Sequence, residues 1–251
     1  MTTVVVSGRA GGTTHLAIQV LGQLPPELRL IGGLAVMCRV GMPHRATVDL
    51  DTVTRGLSQQ DTVLSHLAVT ATGGGQYRFD HDLDLDVIDV APANAEDLMA
   101  SLTEDGGELT DLELNLVAHT WAHDHSTPLD LVAVDDETGA RLAEAPGRLV
   151  ASPGGLVAMK VTTVPLRASA RPEKRASDLY DLGRLLLTAT DLVAELDAMP
   201  GALSSTALRS LAEWFCEPSG RDRTYRTVRR FDDPPLDLDE VADAIEDLRG
   251  R

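Results

Sequence analysis

Two aspartates are the residues of this sequence best suited to metal-assisted phosphate chemistry. Asp49 and Asp51 lie in the segment ATVDLDTV, whose alternation of polar and apolar residues predicts a β-strand. Side chains two positions apart on a strand point to the same face, so the two carboxylates would lie side by side. Carboxylates at such a distance repel each other unless a cation lies between them. A hard divalent ion such as Mg²⁺ suits the position because it prefers oxygen ligands and accompanies phosphates.

A glycine pair precedes these aspartates. Gly32 and Gly33 stand between LRLI, which predicts a short strand, and GLAVMCRV, which predicts a helix. The first turn of a helix has backbone N–H groups that can hold phosphate oxygens, and glycine lets the phosphate approach closely. Each feature is common on its own, as a turn or as a solvated strand face. The order strand, Gly-Gly, helix, strand, Asp-x-Asp predicts a bound triphosphate with its metal ion.

This order resembles the nucleotidyltransferase superfamily typified by DNA polymerase β. The resemblance implies a third carboxylate on a neighbouring strand, and the segment LDLDVIDVAP contains Asp84, Asp86 and Asp89. Alternation places Asp84 and Asp86 on one face and Asp89 on the other. The sequence VIDVAP resembles the superfamily segment that carries the acid, which favours Asp89, with Asp86 as second choice. An alternative for Asp84 and Asp86 is that they form the solvent face of an edge strand.

Two longer motifs resemble the AbiEii/AbiGii-type nucleotidyltransferase toxins. In the first, GGLAVMCRVGMPHRATVDLD, the matching residues are His44, Arg45, Thr47, Asp49 and Asp51. In the second, LVAMKVTTVPLRASARPEKRASDLYDL, the matching residues are Lys160, Arg167, Asp178 and Asp181. Ser177 stands where the family motif has a lysine. The resemblance spans residues 28–190.

This resemblance implies an enzyme that transfers a nucleoside monophosphate from an NTP to an acceptor, with tRNA expected, as the toxin of a toxin–antitoxin pair. Its implied partners are the NTP, the RNA and a cognate antitoxin, and its implied cofactor is Mg²⁺. The implied metal ligands are Asp49, Asp51 and Asp89. The implied nucleotide-binding residues are Gly32, Gly33, Arg45, Thr47 and Lys160. The implied catalytic residues are Asp49, Asp51, Asp89, Lys160, Asp178 and Asp181.

Several alternatives remain at this point. Lys160 could be a structural lysine, Arg45 a turn arginine and Asp178 a helix cap. The chain as a whole could be a catalytically degenerate member of the fold that binds nucleotide or a protein partner. His119, His123 and His125 are weak zinc candidates, because no further ligands complete a site.

The elements that must position these residues fall into two parts. Helices and strands alternate through residue 150, with Ser58 as a possible helix cap, a turn at GRAGG and a turn-rich stretch after LDLVAV. From Ser152 the pattern is helical, and Pro153 suits a first helical position. We expect an α/β (α+β) fold: a nucleotidyltransferase-like mixed sheet in residues 1–150 and a helical domain in residues 151–251 that completes the active cleft.

Composition and charge narrow the functional classes. The chain has no long apolar run, no secretory signal pattern and two cysteines, which predicts a cytoplasmic protein without membrane spans or a disulfide framework. The net charge of -17 opposes nucleic-acid binding on average. Two segments, Arg167–Arg175 and Arg221–Arg230, concentrate positive charge and form a candidate RNA track; solvated surface arginines are the alternative.

Overall fold

A mixed sheet and two sets of helices make up most of the computed structural model, which describes residues 2–41, 49–104, 106–167, 171–231 and 234–250. The first elements in chain order are β1 (Thr2–Gly8), α1 (Thr13–Gln23), β2 (Arg29–Ile31), α2 (Gly32–Val40), β3 (Asp49–Thr54), α3 (Leu57–Leu67), β4 (Thr70–Gly73), β5 (Gln76–Arg78) and β6 (Asp84–Asp89). There follow α4 (Ala95–Leu102), α5 (Asp111–Asp124), β7 (Ser126–Asp135) and β8 (Arg141–Ala151). The remaining helices are α6 (Pro153–Arg167), α7 (Pro172–Thr188), α8 (Leu192–Asp197), α9 (Gly201–Leu211), α10 (Pro218–Val228) and α11 (Leu238–Arg249).

The eight described strands form one sheet in the order β1-β7-β8-β2-β3-β6-β5-β4. Three neighbouring pairs are parallel, namely β1 with β7, β2 with β8 and β3 with β6. The other pairs are antiparallel. The strand that carries the Asp-x-Asp motif, β3, is therefore an interior strand, with β2 on one side and β6 on the other.

The chain divides into two compact units. The first comprises Met1–Pro92 and His125–Ser152, and the second comprises Ala93–Asp124 and Pro153–Arg251. In the first unit α1 packs on β1, β7 and β8, and its Ile18 and Leu21 are fully buried. In the second unit α6 packs against α5, α7, α8 and α9, and its Leu156 and Val157 are fully buried. Whether residues 1–150 and 151–251 act as separate functional domains stays a prediction.

The predicted mixed α/β class with C-terminal helices is confirmed. Within the described chain, no helix combines the length and the hydropathy that crossing a membrane requires. Cys38 and Cys216 are both free thiols.

Some local predictions are wrong. The stretch predicted as turn-rich forms the long strand β8, whereas the turn predicted at GRAGG is present after β1. Ser58 does not cap α3, because that helix begins at Leu57 after Gly56, which has left-handed backbone dihedral angles. Asp178 is not a helix cap, because α7 begins at Pro172 and Asp178 lies in its interior.

Candidate active site

The sheet brings three of the predicted carboxylates together. Asp49 and Asp51 are half-buried on β3, and the residue between them, Leu50, is fully buried on the opposite face. The parallel register of β3 with β6 sets Asp51 opposite Asp86. One carboxylate oxygen from each of Asp49, Asp51 and Asp86 lies within 4.8 Å of the other two. We call these three residues the aspartate cluster.

The aspartate cluster suits a hard divalent cation. All its donors are carboxylate oxygens, which Mg²⁺ prefers, and each side chain is only partly buried, so an ion can enter from solvent. Three negative charges at this separation repel one another, and a bound cation would relieve that repulsion. Among the described residues, the aspartate cluster is the one set of three or more histidine, cysteine or carboxylate side chains whose spacing suits a metal ion.

The glycine pair lies against the cluster. Gly32 is the first residue of α2 and has φ +70°, a conformation that glycine adopts readily. A Cβ atom at Gly32 would lie 2.1 Å from Oδ2 of Asp51 and 2.8 Å from its Cβ and Cγ. Only glycine therefore allows the helix to begin this close to Asp51. As a result, the first turn of α2 lies beside the Asp51 carboxylate.

Asp89, the favoured third ligand, is not part of the cluster. It is exposed at the end of β6, and its Oδ1 accepts hydrogen bonds from the backbone N–H groups of Gly56 (2.9 Å) and Leu57 (3.1 Å). Because Asp89 is three positions after Asp86, strand alternation directs it to the opposite face. The structure thus groups Asp86, the second choice, with Asp49 and Asp51, whereas Asp89 accepts hydrogen bonds from the N-terminus of α3. The strand β6 is not an edge strand, since it lies between β3 and β5.

A second group of predicted residues meets in the second unit. The Lys160 ammonium donates to Asp178 Oδ1 at 2.8 Å and to Asp181 Oδ2 at 2.7 Å. The Arg167 guanidinium donates to Asp178 Oδ2 at 2.6 Å. Lys160 and Asp178 are buried and Asp181 is fully buried, whereas the Arg167 side chain is 32% exposed. We call these four residues the lysine network, and its two cations balance its two carboxylates.

The lysine network borders polar residues of α5, a helix that the sequence analysis did not identify. Asn115 donates from Nδ2 to the hydroxyls of Thr162 and Thr163 on α6, at 3.0 and 3.1 Å. The ring of His119 is buried with Nδ1 2.8 Å from the Asn115 carbonyl, which only accepts, so Nδ1 carries the proton. Burial lowers the pKa of His119, that hydrogen bond opposes the shift, and the charge of Arg167 adds to it.

The three zinc candidates, His119, His123 and His125, are not among the described side chains grouped at metal-ligand spacing. His119 is bonded within its own helix, and Nδ1 of His123 lies 3.1 Å from the Asp124 carboxylate. Asp124 also accepts from the backbone N–H of Ala95 at the start of α4. These contacts join α4 to α5 and give the histidines structural roles.

Several arginines of the predicted basic track lie beside acidic side chains. On α10, Arg221 pairs with Asp239, and Arg226 pairs with Asp222 at 2.7 Å. Arg223 lies 4.0 Å from Glu213. In the first basic segment, Arg171 is exposed at the start of α7, and Lys174 and Arg175 are half-buried.

Three residues of the first motif, His44, Arg45 and Thr47, lie outside the described residues. The predicted nucleotide contacts of Arg45 and Thr47 therefore stay predictions.

Comparison with protein families identifies the chain. A family model described as "Nucleotidyl transferase AbiEii toxin, Type IV TA system" matches residues 17–250. Comparisons with curated proteins and with solved structures give no match. Since the family model covers nearly the whole sequence, the chain belongs to the AbiEii nucleotidyltransferase toxin family.

Proposed function

From this membership we propose that the chain transfers a nucleoside monophosphate from an NTP to a hydroxyl group of RNA, with tRNA as the acceptor. The family establishes a nucleotidyltransferase toxin of a toxin–antitoxin system and so implies a nucleotide substrate and an antitoxin partner. The observation that carries the proposal is the aspartate cluster beside the first turn of α2. We place the reaction in the cytoplasm, where NTPs and tRNA are available.

The donor set fits Mg²⁺, held by Asp49, Asp51 and Asp86. When bound, the metal would activate the attacking hydroxyl and stabilise the charge that develops on the leaving pyrophosphate.

The chain itself supplies the orientation of the triphosphate. The N-terminus of α2 carries partial positive charge and backbone N–H groups, and Gly32 and Gly33 present no side chain that would block a phosphate oxygen. A phosphate held there would also be next to Asp51, because Gly32 is in contact range of that carboxylate. This arrangement favours a triphosphate over a neutral substrate.

We assign the lysine network to the same reaction as positioning and charge-supplying residues. Asp178 and Asp181 fix the Lys160 ammonium through two hydrogen bonds, and Asp178 also fixes Arg167. A cation held by buried carboxylates keeps its geometry without reorganising during the reaction. Arg167 is the most exposed of the four residues, so it is the more solvent-accessible of the two cations.

The RNA acceptor is supported by the basic residues Arg171, Lys174 and Arg175 at the start of α7. The net charge of -17 favours the competing hypothesis, a catalytically degenerate protein that binds nucleotide or a partner without transfer. The two hypotheses differ in whether label from an NTP becomes covalently attached to an acceptor.

The test incubates the purified chain with each α-³²P-labelled NTP, Mg²⁺ and total tRNA. We expect RNA labelling that requires the metal and that falls about 100- to 1,000-fold in Asp51→Asn, since this variant removes a proposed ligand of the metal that would stabilise developing charge. Asp89→Asn is the matched control: it removes an equal charge near the same sheet but outside the aspartate cluster, and should retain transfer.

Three outcomes contradict parts of the proposal. If the label is found in protein and not in RNA, the proposed RNA acceptor is wrong. If the chain binds nucleotide without transferring it, the result supports the alternative of a catalytically degenerate protein. Transfer lost in Asp89→Asn and kept in Asp51→Asn overturns the composition of the aspartate cluster.

A further inference from the structure

A fourth aspartate shares the face of the aspartate cluster. Asp84 precedes Asp86 by two residues on β6, and the strand register sets it directly opposite Asp49. On the other side of β6, the antiparallel register with β5 sets Arg78 opposite Asp84 and Gln76 opposite Asp86. Asp49, Asp84 and Arg78 thus form one row across three strands.

Arg78 holds Asp84 by a two-pronged ion pair. Its Nε donates to Oδ1 of Asp84 at 2.7 Å and its Nη2 donates to Oδ2 at 3.0 Å. Such a fork fixes the orientation of a carboxylate as well as its distance. Arg78 also lies 4.0 Å from Asp82, which is almost fully exposed and therefore a weaker partner.

The pair contributes little to folding. The side chains of Arg78 and Asp84 are 53% and 47% exposed, and ion pairs with that exposure contribute little to stability. Its larger effect is on the neighbouring site. Asp84 lies opposite Asp49 and yet is not among the described carboxylates whose oxygens converge within 4.8 Å. Arg78 donates a hydrogen bond to each of the two Asp84 oxygens.

We propose that Arg78 is a positioning residue that keeps Asp84 out of the metal site and so limits that site to three carboxylates. This inference rests on the proposed function. Three carboxylates leave coordination positions of Mg²⁺ for substrate phosphates. A fourth would bind the cation more tightly without nucleotide and would repel the triphosphate. Arg78 therefore couples metal binding to the arrival of the NTP.

The experiment measures Mn²⁺ binding by calorimetry and by electron paramagnetic resonance, without substrate. We expect Arg78→Ala to bind Mn²⁺ about fivefold to tenfold more tightly than the parent, because a nearby carboxylate loses its counter-charge. The double variant R78A/D84N should return to the parental dissociation constant. Arg141→Ala is the matched control, since it removes an exposed arginine paired with Glu144 at 2.7 Å in the same sheet.

A second measurement uses a non-hydrolysable NTP analogue at saturating Mg²⁺. Arg78→Ala should weaken analogue binding, and R78A/D84N should restore it. If analogue binding stays weak in the double variant, Arg78 contacts the phosphate directly and the proposal is wrong. Unchanged or weaker Mn²⁺ binding in Arg78→Ala also overturns it.

The failure of the proposed function would look different. In that case the parental chain would bind no Mn²⁺, or would bind it equally well after Asp49→Asn. Either result would show that the aspartate cluster is not a metal site, and Arg78 would then have no metal site to shape.

Discussion

The aspartate cluster and the lysine network solve opposite electrostatic problems. The cluster gathers three like charges on half-buried strand positions, whereas the network balances two carboxylates with two cations at mostly buried helix positions. Gathering like charges costs folding energy and is favoured only if a ligand supplies the missing charge. Removing one partner of a balanced buried group leaves an uncompensated charge, which lowers the unfolding free energy. We therefore expect substitutions to affect ligand binding and chemistry in the first region and stability in the second.

The largest expected effect on stability is at Asp181. Asp181→Ala removes one partner of a fully buried ion pair, so it should lower the unfolding free energy by about 3–5 kcal/mol. Asp86→Ala is the matched control from the aspartate cluster and should leave that free energy unchanged or slightly higher, because it relieves like-charge repulsion. Urea unfolding of both variants provides the measurement. Equal destabilisation would show that the two regions do not differ in this respect.

An intermediate effect is expected at the glycine beside the cluster. Gly32→Ala forces a Cβ atom into a left-handed residue, at about 1–2 kcal/mol, and against Asp51, at a further ~1–3 kcal/mol. Gly41→Ala provides the control, because Gly41 has φ +77° and no atom of the described residues lies within 4 Å of its added Cβ. The difference between the two unfolding free energies isolates the contact with Asp51. Transfer activity should fall in Gly32→Ala alone, and an equal fall in both variants would contradict this account.

The smallest expected effect is the pH dependence of the unfolding free energy that results from the buried His119 in the second unit. Since burial lowers its pKa from 6.5, the unfolded chain binds a proton that the folded chain does not. The stabilisation is present above pH 6.5 and is lost as the pH falls below it, with a slope of at most about 1.4 kcal/mol per pH unit. His119→Gln should flatten the stability profile between pH 6.5 and 5, measured by thermal unfolding.

The exposed His66 provides the comparison for that profile. His66→Gln removes an exposed histidine and leaves the buried ring of His119 in place. If the two histidine variants give the same profile, the buried ring does not control acid stability.

Sequence reasoning identified the residues that chemistry requires at fixed local spacing. The Gly-Gly start of α2 and the Asp-x-Asp strand follow from turn and strand periodicity, and both are confirmed as structural elements. The third carboxylate depends on the register between β3 and β6, which strands distant in sequence set together. Strand alternation separates the faces of Asp86 and Asp89, whereas the likeness of VIDVAP to a family segment favours Asp89.

The features that the sequence did not predict, β8, α5 and the cap of α3, depend on burial or on contacts with residues distant in sequence. The strand β8 contains Pro146 and Gly147, which usually indicate a turn, and its ladder with β7 has register shifts nearby. There the Gly147 N–H donates to Asp130 at 2.8 Å, so a long-range carboxylate supports the irregular backbone. The helix α5 is buried on all sides from Val117 to His123 and so lacks an amphipathic period. The N-terminus of α3 is satisfied by Asp89 of β6 and not by a neighbouring serine.

The order in which the strands join the sheet has a consequence for synthesis on the ribosome. Among the described strands, β1 is paired with β7, and β2 is paired with β3 and β8. The first two strands of the chain therefore complete their pairing only after β8, which ends at Ala151, has been synthesised. A nascent chain can expose Asp49, Asp51 and Asp86 long before these strands are complete. The toxin should therefore acquire its nucleotide site late in translation, and a truncated product that ends before β7 should be harmless to the cell that makes it.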